Sequence, residues 1–579
     1  MSENLSREHS LSAAETINLN EEDSITSTVG LYSIIKRLLK HIRISFSSNS
    51  DSSVLSALLE RVYSRLIFSR IRLTAIFLLS FSIVAILISF VTNNSLGIFI
   101  SDIDSFSAFA LLLLSFVLFT SNKTLHQALI NSKFLNLLSI VYNEQNSNNS
   151  DSIPYQISTP FFLGIICGIF SVIYPVSVIC TFIISVLISI CIFNRPECGM
   201  LIIIAILPFL SKPILLTFTC ITFLALLYRY LLGKRHIDFD LSALLMTVTT
   251  TYIIIRCASS EGPFVSSRLC IYIAFFVFCI ATINLVRSTA MFRRTFSVLL
   301  NMTRTFAVIL CLYYLGNMFF GVDVITRFIT EIGINSLVHS LTSTSFVAPF
   351  LAMAVPLNFA YLFGTGRNNK TAGNIFYLIL MFACLLYVST YGLILISILS
   401  CVAILFFYNK KFAFLVIPAP FAAFALYRLF NSVPVTYKLS AASETVTDFQ
   451  VALSIIKSHP IVGAGPEITD YTGNMLLNIL VTFGFTGLVL VIAIVLCMSI
   501  FTIKGISADI MKSDRARFLS IGMLCSQLSF VAVCIFTDIY CDLNTIFMFS
   551  SILSASFVSG KCYKADYIDK TYVREYSHI

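Results

Sequence analysis

From residue 73 to residue 560 the chain alternates between apolar stretches and short polar segments. The apolar runs fall at 73–91, 105–120, 158–173, 176–193, 199–210, 213–231, 240–256, 268–286, 303–320, 346–364, 373–390, 391–408, 412–428, 474–500, 517–537 and 544–560. A helix needs about 20 apolar residues to cross the hydrocarbon core, since each residue advances it by about 1.5 Å. The runs at 158–173, 176–193 and 199–210 are short, and a pair of them re-entering the same face would lower the number of spans by two. The pattern predicts an all-α integral membrane protein, a polytopic helical bundle of about 14–16 transmembrane helices.

The polar segments add the layout. Residues 1–30 are rich in Ser, Asn and Glu and read as disordered. They contain no apolar stretch of the signal-peptide kind, so the first span is expected to act as its own insertion signal. Two basic amphipathic segments follow, Leu31 to Phe46 with Lys36, Arg37, Lys40 and Arg43, and Val54 to Arg72 with Arg61, Arg65, Arg70 and Arg72. Such helices lie on an anionic leaflet or stay in water. The predicted organisation is a cytoplasmic tail over 1–72, N-terminal transmembrane helices over 73–193, a membrane core over 194–560 and a second cytoplasmic tail over 561–579.

Charge orients the bundle. With the amino terminus inside, the cytoplasmic loops carry Arg229, Lys234 and Arg235, then Arg287, Arg293 and Arg294, then Arg367 and Lys370, Lys410 and Lys411, and Lys504, Lys512, Arg515 and Arg517. The outer loops carry Asp102, Asp104, Glu261, Asp323, Glu331, Asp538 and Asp542, with Lys212 an exception. This is the positive-inside bias, and it places both termini in the cytoplasm. Two outer segments are long enough to hold chemistry, about 321–345 and the large extracytoplasmic loop 430–473.

Composition agrees. The 579 residues are 57% hydrophobic and 12% charged, with a mean hydropathy of +0.89. Soluble domains carry about 25% charged residues, so this chain cannot cover a water-facing surface. The net charge of +9 is absorbed by the inner loops and gives no reason to expect nucleic acid as a partner. Most of the 16 cysteines sit inside apolar runs as small hydrophobes, and neither a CxxC pair nor metal-ligand spacing occurs, so no metal site is expected.

Within the large loop, Gln450 to Lys457 reads as a short amphipathic helix ended by Pro460, followed by a tight turn at Gly463 and Gly465 and a return to the membrane at Asn474. At this point the chain resembles the O-antigen ligase and O-antigen polymerase family of bacterial envelope enzymes. Four segments agree in order: NRPECGM with Pro208 beyond it, SLTSTSFVAPFLAMAVPL, VSTYGLILISILSCVAILFF and SHPIVGAGP. The third resembles a hairpin that more often reads T-x-SRG. In the second, Ser343, Thr344 and Ser345 stand where the family has an Asn-Pro-Asn-like stretch preceded by arginine. The ligase signature of His, then Asn, Ser or Gln, nine residues, Gly, two residues, and Gly, Thr or Tyr is met at Asn474, Gly484 and Gly487, but its histidine position is Gly473.

The resemblance implies a place in the cytoplasmic (inner) membrane and transfer of a glycan, on its outer side, from an undecaprenyl diphosphate carrier to a glycan or lipid acceptor, with no cofactor and with membrane lipids and other polysaccharide-assembly proteins as partners. Such a site needs cations for the diphosphate and a base for the acceptor hydroxyl. With Gly473 lacking a side chain, the base candidates are His459, Glu467 and Asp470. The substrate-binding candidates are Arg428, Lys438, Lys457, Arg327, Arg256 and Asn474. The bland counterparts are solvated loop carboxylates and snorkelling interfacial bases. Arg304, near the start of its predicted span, is an ionisable residue at membrane depth, which points to function or to snorkelling inward. A non-catalytic relative that binds lipid-linked glycan, or a secondary transporter, are the other readings.

Overall fold

A computed structural model describes residues 54–93, 103–132, 157–232, 237, 240–258, 265–331, 335–364, 371–388, 391–408, 410–431, 445–465, 475–507, 514–534 and 542–562. In chain order the helices are α1 Val54–Ile67, α2 Ile71–Asn93, α3 Ile103–Phe119, α4 Leu125–Asn131, α5 Ser158–Ile169, α6 Val176–Asn194 and α7 Pro196–Ile206. Next come α8 Lys212–Leu231, α9 Leu241–Ala258, α10 Val265–Leu285, α11 Thr289–Phe320, α12 Val322–Glu331, α13 Asn335–Thr342 and α14 Thr344–Gly364. The series ends with α15 Thr371–Val388, α16 Tyr391–Tyr408, α17 Ala419–Asn431, α18 Thr445–Ser458, α19 Met475–Ser507, α20 Asp514–Val533 and α21 Leu543–Cys562. Among the described residues there is no strand, only an isolated bridge between Arg70 and Thr124.

Eight helices are long and apolar enough to cross a membrane, and nine are if the bent pair Lys410–Val416 and Ala419–Arg428 forms one span. Seven shorter apolar helices accompany them. Each apolar run read from the sequence falls on one of these helices, except 412–428, which falls on the bent pair. The chain is thus an all-α polytopic membrane protein.

Packing divides the helices into an inside and an outside. The Leu543–Gly560 window of α21 is the least apolar of the eight and the most enclosed, at 94% buried, whereas Val176–Asn194 is 17% buried. Helices facing lipid need apolar side chains all round, while an enclosed helix gains from small residues that let backbones approach. Accordingly Ser550, Ser551, Ser554, Ser556 and Ser559 of α21 are buried, their hydroxyls satisfied mostly by carbonyls of their own helix. The most extensive helix pair is α14 with α20. Pro356 of α14 has no N–H for the Ala352 carbonyl, and beside this weak point Ser526 Oγ donates to the Met353 carbonyl at 2.7 Å. A smaller cluster, Phe81, Ala85, Ala108, Val176 and Ile179, joins α2, α3 and α6 apart from the main core, which runs in sequence from Ile192 to Val558.

Two elements differ from the sequence expectation. α11 begins at Thr289 rather than near 303, capped by Ser288 Oγ accepting from Met291 N–H at 3.1 Å. Its first half carries Arg293, Arg294 and several hydroxyls, which lowers its hydropathy, yet Met291, Phe292, Phe296 and Leu299 on one face are buried. The basic segment Val54 to Arg72 is broken after Ile67, and its last residues start the first span at Ile71. In the segment 321–345, expected from loop charge to be an outer one, the chain forms α12 and α13. The segment Leu31 to Phe46 lies outside the described residues.

Candidate functional site

The SHPIVGAGP segment and the Gly484 signature position meet in space. α18 ends as His459 N–H donates to the Ile455 carbonyl at 3.0 Å, and Pro460 cannot extend the helix. The chain then folds into a short hairpin in which Gly463 N–H reaches the His459 carbonyl at 3.1 Å. Gly463 at φ 75° and Gly465 at φ 106° make the turn possible, as the sequence predicts.

This hairpin sits in a break in α19. Gly484, at φ 65° and ψ −171°, interrupts the helix and strips its neighbours of their intrahelical partners. Within a membrane those groups must be satisfied by protein. Ala464 N–H donates to the Val481 carbonyl at 2.8 Å and Gly465 N–H to the Thr482 carbonyl at 3.1 Å. In return Phe485 N–H donates to the Pro460 carbonyl at 3.0 Å and Thr486 N–H to the Ile461 carbonyl at 3.2 Å, with Thr486 Oγ1 on the same oxygen at 2.9 Å. The approach leaves no room for side chains. A Cβ on Gly463 would lie 2.5 Å from Gly484 N, and one on Gly484 would lie 2.3 Å from the Ile461 carbonyl oxygen.

One face of α9 locks the assembly. Tyr252 donates its hydroxyl to the Phe483 carbonyl at 2.8 Å, and Arg256, one turn on, donates Nη2–H to the Gly463 carbonyl at 2.9 Å. Arg256 is half-buried. Beside the break runs an apolar cavity of about 110 Å³ bordered by Ile253, Phe276, Ile479, Phe483, Val491 and Phe530. Its wall on α19 draws on both sides of the Gly484 break, from Met475 to Val495.

The other sequence candidates are placed as follows. Lys457 and His459 are exposed at the end of α18, and Arg327 is exposed on α12. Arg428 is exposed with its guanidinium 5.3 Å from the centre of the Phe424 ring. Among the described residues no hydrogen bond or ion pair joins these four. Lys438, Glu467, Asp470, Gly473 and Asn474 lie outside the described residues. Among the described residues no group of three His, Cys, Asp or Glu side chains is placed to hold a metal ion.

Sequence reading missed Tyr252 and Thr486, whose partners are backbone atoms of distant segments. The signature glycines Gly484 and Gly487 were the signal available. It also missed a polar cluster that joins the ends of α8, α13 and α21. Asp542 caps α21 by accepting from Thr545 N–H at 3.1 Å and from the Thr545 hydroxyl, Ser340 Oγ donates to the Pro208 carbonyl at 2.8 Å, and Asn544 Nδ2 reaches the Leu210 carbonyl at 3.5 Å. Burial raises the Asp542 carboxyl above its ordinary range, opposed by the Thr545 hydrogen bonds and by the charges of His339 and Lys212. No protein-family model matches the chain, and neither curated proteins nor solved structures show a match to it.

Proposed function

We propose that the chain transfers or polymerises glycan from an undecaprenyl-diphosphate-linked donor at the outer face of the cytoplasmic membrane, in surface polysaccharide synthesis. The observation that carries this reading is that two segments chosen by resemblance, SHPIVGAGP and the Gly484–Gly487 pair, form one hydrogen-bonded unit. A chance likeness in two places along the sequence gives no reason for them to touch. The apolar cavity beside that unit suits part of an isoprenoid chain, which must lie in the hydrocarbon while its diphosphate stays at the surface.

In this reading Arg256 positions the loop, and Lys457 and Arg428, which flank and occupy the outer segment 430–473, hold the diphosphate. His459 takes the proton from the acceptor hydroxyl as its oxygen bonds to the anomeric carbon, and the bond from that carbon to the diphosphate breaks with the carrier as leaving group. The test is Lys457→Ala and Arg428→Ala in cells. Surface glycan should disappear, lipid-linked donor should accumulate, and the amount of chain in the membrane should stay level. Normal surface glycan in both variants would remove the proposal.

The break in α19 also favours a second reading, since secondary transporters use interrupted helices at their binding sites. Against it, the hairpin backbone takes up the groups that a transporter leaves open for ions. Purified chain that accumulates a solute in liposomes would favour transport.

A further inference from the structure

Away from this unit, α11, α14 and α15 enclose a cation. Arg304 donates Nε–H to Asn358 Oδ1 at 2.9 Å and Nη2–H to Asn374 Oδ1 at 2.9 Å. The ring centres of Tyr361 and Tyr377 each lie 5.0 Å from its guanidinium carbon. Asn358 is itself fixed, donating from Nδ2 to Thr303 Oγ1 at 3.2 Å and to the Ala354 carbonyl at 3.0 Å. Asn358 and Asn374 are buried, while Arg304 is half-buried.

All four partners orient the guanidinium without cancelling its charge. Among the described residues no carboxylate pairs with Arg304, and its Nη1 donates no hydrogen bond. An arginine is never neutral in a protein, and a charge at membrane depth is costly unless something opposite meets it. A purely structural clamp between three helices would be cheaper with a neutral donor such as glutamine. Asn374 is one turn from the start of α15, while Arg304 lies near the middle of α11, about 22 Å along it from Thr289 and about 24 Å from Phe320. The group is therefore at membrane depth, on the side of the bundle where the sequence carries Arg293 and Arg294 at the start of α11 and Arg367 and Lys370 in the α14–α15 connection. The positive-inside rule reads this end as cytoplasmic, opposite to the Gly484 unit.

We propose that Arg304, held by Asn358, Asn374, Tyr361 and Tyr377, is a binding site for a phosphate group. Its source is the headgroup of an anionic phospholipid of the inner leaflet or a soluble phosphate, since the open Nη1 edge of a planar guanidinium fits phosphate oxygens of either kind.

The deciding variant is Asn374→Asp. It keeps the shape of the side chain, strengthens any clamp between α11 and α15, and places a carboxylate on the guanidinium that satisfies the charge internally. Binding is read by native mass spectrometry of full-length protein given phosphatidylglycerol or phosphatidylcholine, and by thermal shift with inorganic phosphate. The wild type should retain phosphatidylglycerol over phosphatidylcholine if the source is lipid, or be stabilised by inorganic phosphate if it is soluble. Asn374→Asp should weaken that binding about tenfold or more while leaving the unfolding midpoint equal or higher. Arg304→Lys, which keeps a charge but not the fork, should weaken it as well, and Lys504→Gln at an exposed basic position should not. Neither ligand binding in the wild type, or binding undiminished in Asn374→Asp, overturns the proposal.

Discussion

At the scale of single residues, the site depends on positions where a side chain is forbidden. Gly484 occupies a backbone region open essentially to glycine alone, and departures from that rule cost about 1–3 kcal/mol before any clash is counted. Gly484→Ala should therefore lower the unfolding midpoint by several degrees, followed with a thiol-reactive dye that reports the many buried cysteines. Gly373→Ala is the matched control. Its Cβ would meet nothing within 4 Å, and alanine favours the helix by about 0.5–1 kcal/mol, so the midpoint should hold or rise. Asp542 gives a pH signature. Its folded carboxyl is raised above 3.8, so the native state binds the proton more tightly than the unfolded chain does. Its contribution is most favourable at low pH and is lost as pH rises from the unfolded value through the folded one. Asp542→Asn should flatten that fall when unfolding is measured across the acid range, and an unchanged slope would remove the assignment. The glycines were legible in the sequence because their spacing was. Arg256 was legible as a substrate-binding candidate or an interfacial base but not as a partner of the hairpin, since the atom it meets is a backbone carbonyl 207 residues away and a carbonyl leaves no mark on composition.

Among elements, the apolar runs were the most legible feature, because lipid imposes one requirement on every residue of an exposed span. The reading failed where a helix is enclosed or polar, as in the first half of α11, whose stability comes from packing on one face and not from hydropathy. A break inside an apolar run is equally silent, since the residues around Gly484 stay apolar and only the backbone changes. The hairpin and the two halves of α19 depend on each other for hydrogen bonds, so loosening one loosens both. Tyr252→Phe removes the donor to the Phe483 carbonyl, a loss of about 1 kcal/mol. Amide exchange measured by mass spectrometry should quicken in the segment 459–465 and around 481–486, with α14 and α21 unchanged. Exchange altered equally everywhere would mean that the tyrosine supports the bundle and not the unit.

For the whole molecule, function hangs on which end faces which compartment. The Gly484 unit and the Arg304 group lie toward opposite ends, so a single orientation assigns an outer role to one and an inner role to the other. The orientation proposed rests on loop charge, in which each loop read as inner contributes independently: Arg293 with Arg294, Arg367 with Lys370, and Lys504 with Lys512 repeat one sign through the chain. Parity ties them together, since an odd error in span number anywhere before residue 430 would carry the large loop to the cytoplasmic side. Labelling tests this directly. Ser440→Cys in intact cells should react with a membrane-impermeant maleimide above the background of the native cysteines, whereas Ser513→Cys should react only after permeabilisation. The reverse pattern would place the hairpin in the cytoplasm, out of reach of a lipid-linked glycan already presented outside, and would move the Arg304 group to the outer leaflet. Labelling of both positions in intact cells would mean an even number of crossings between them, with α19 re-entering at its Gly484 break instead of spanning the membrane.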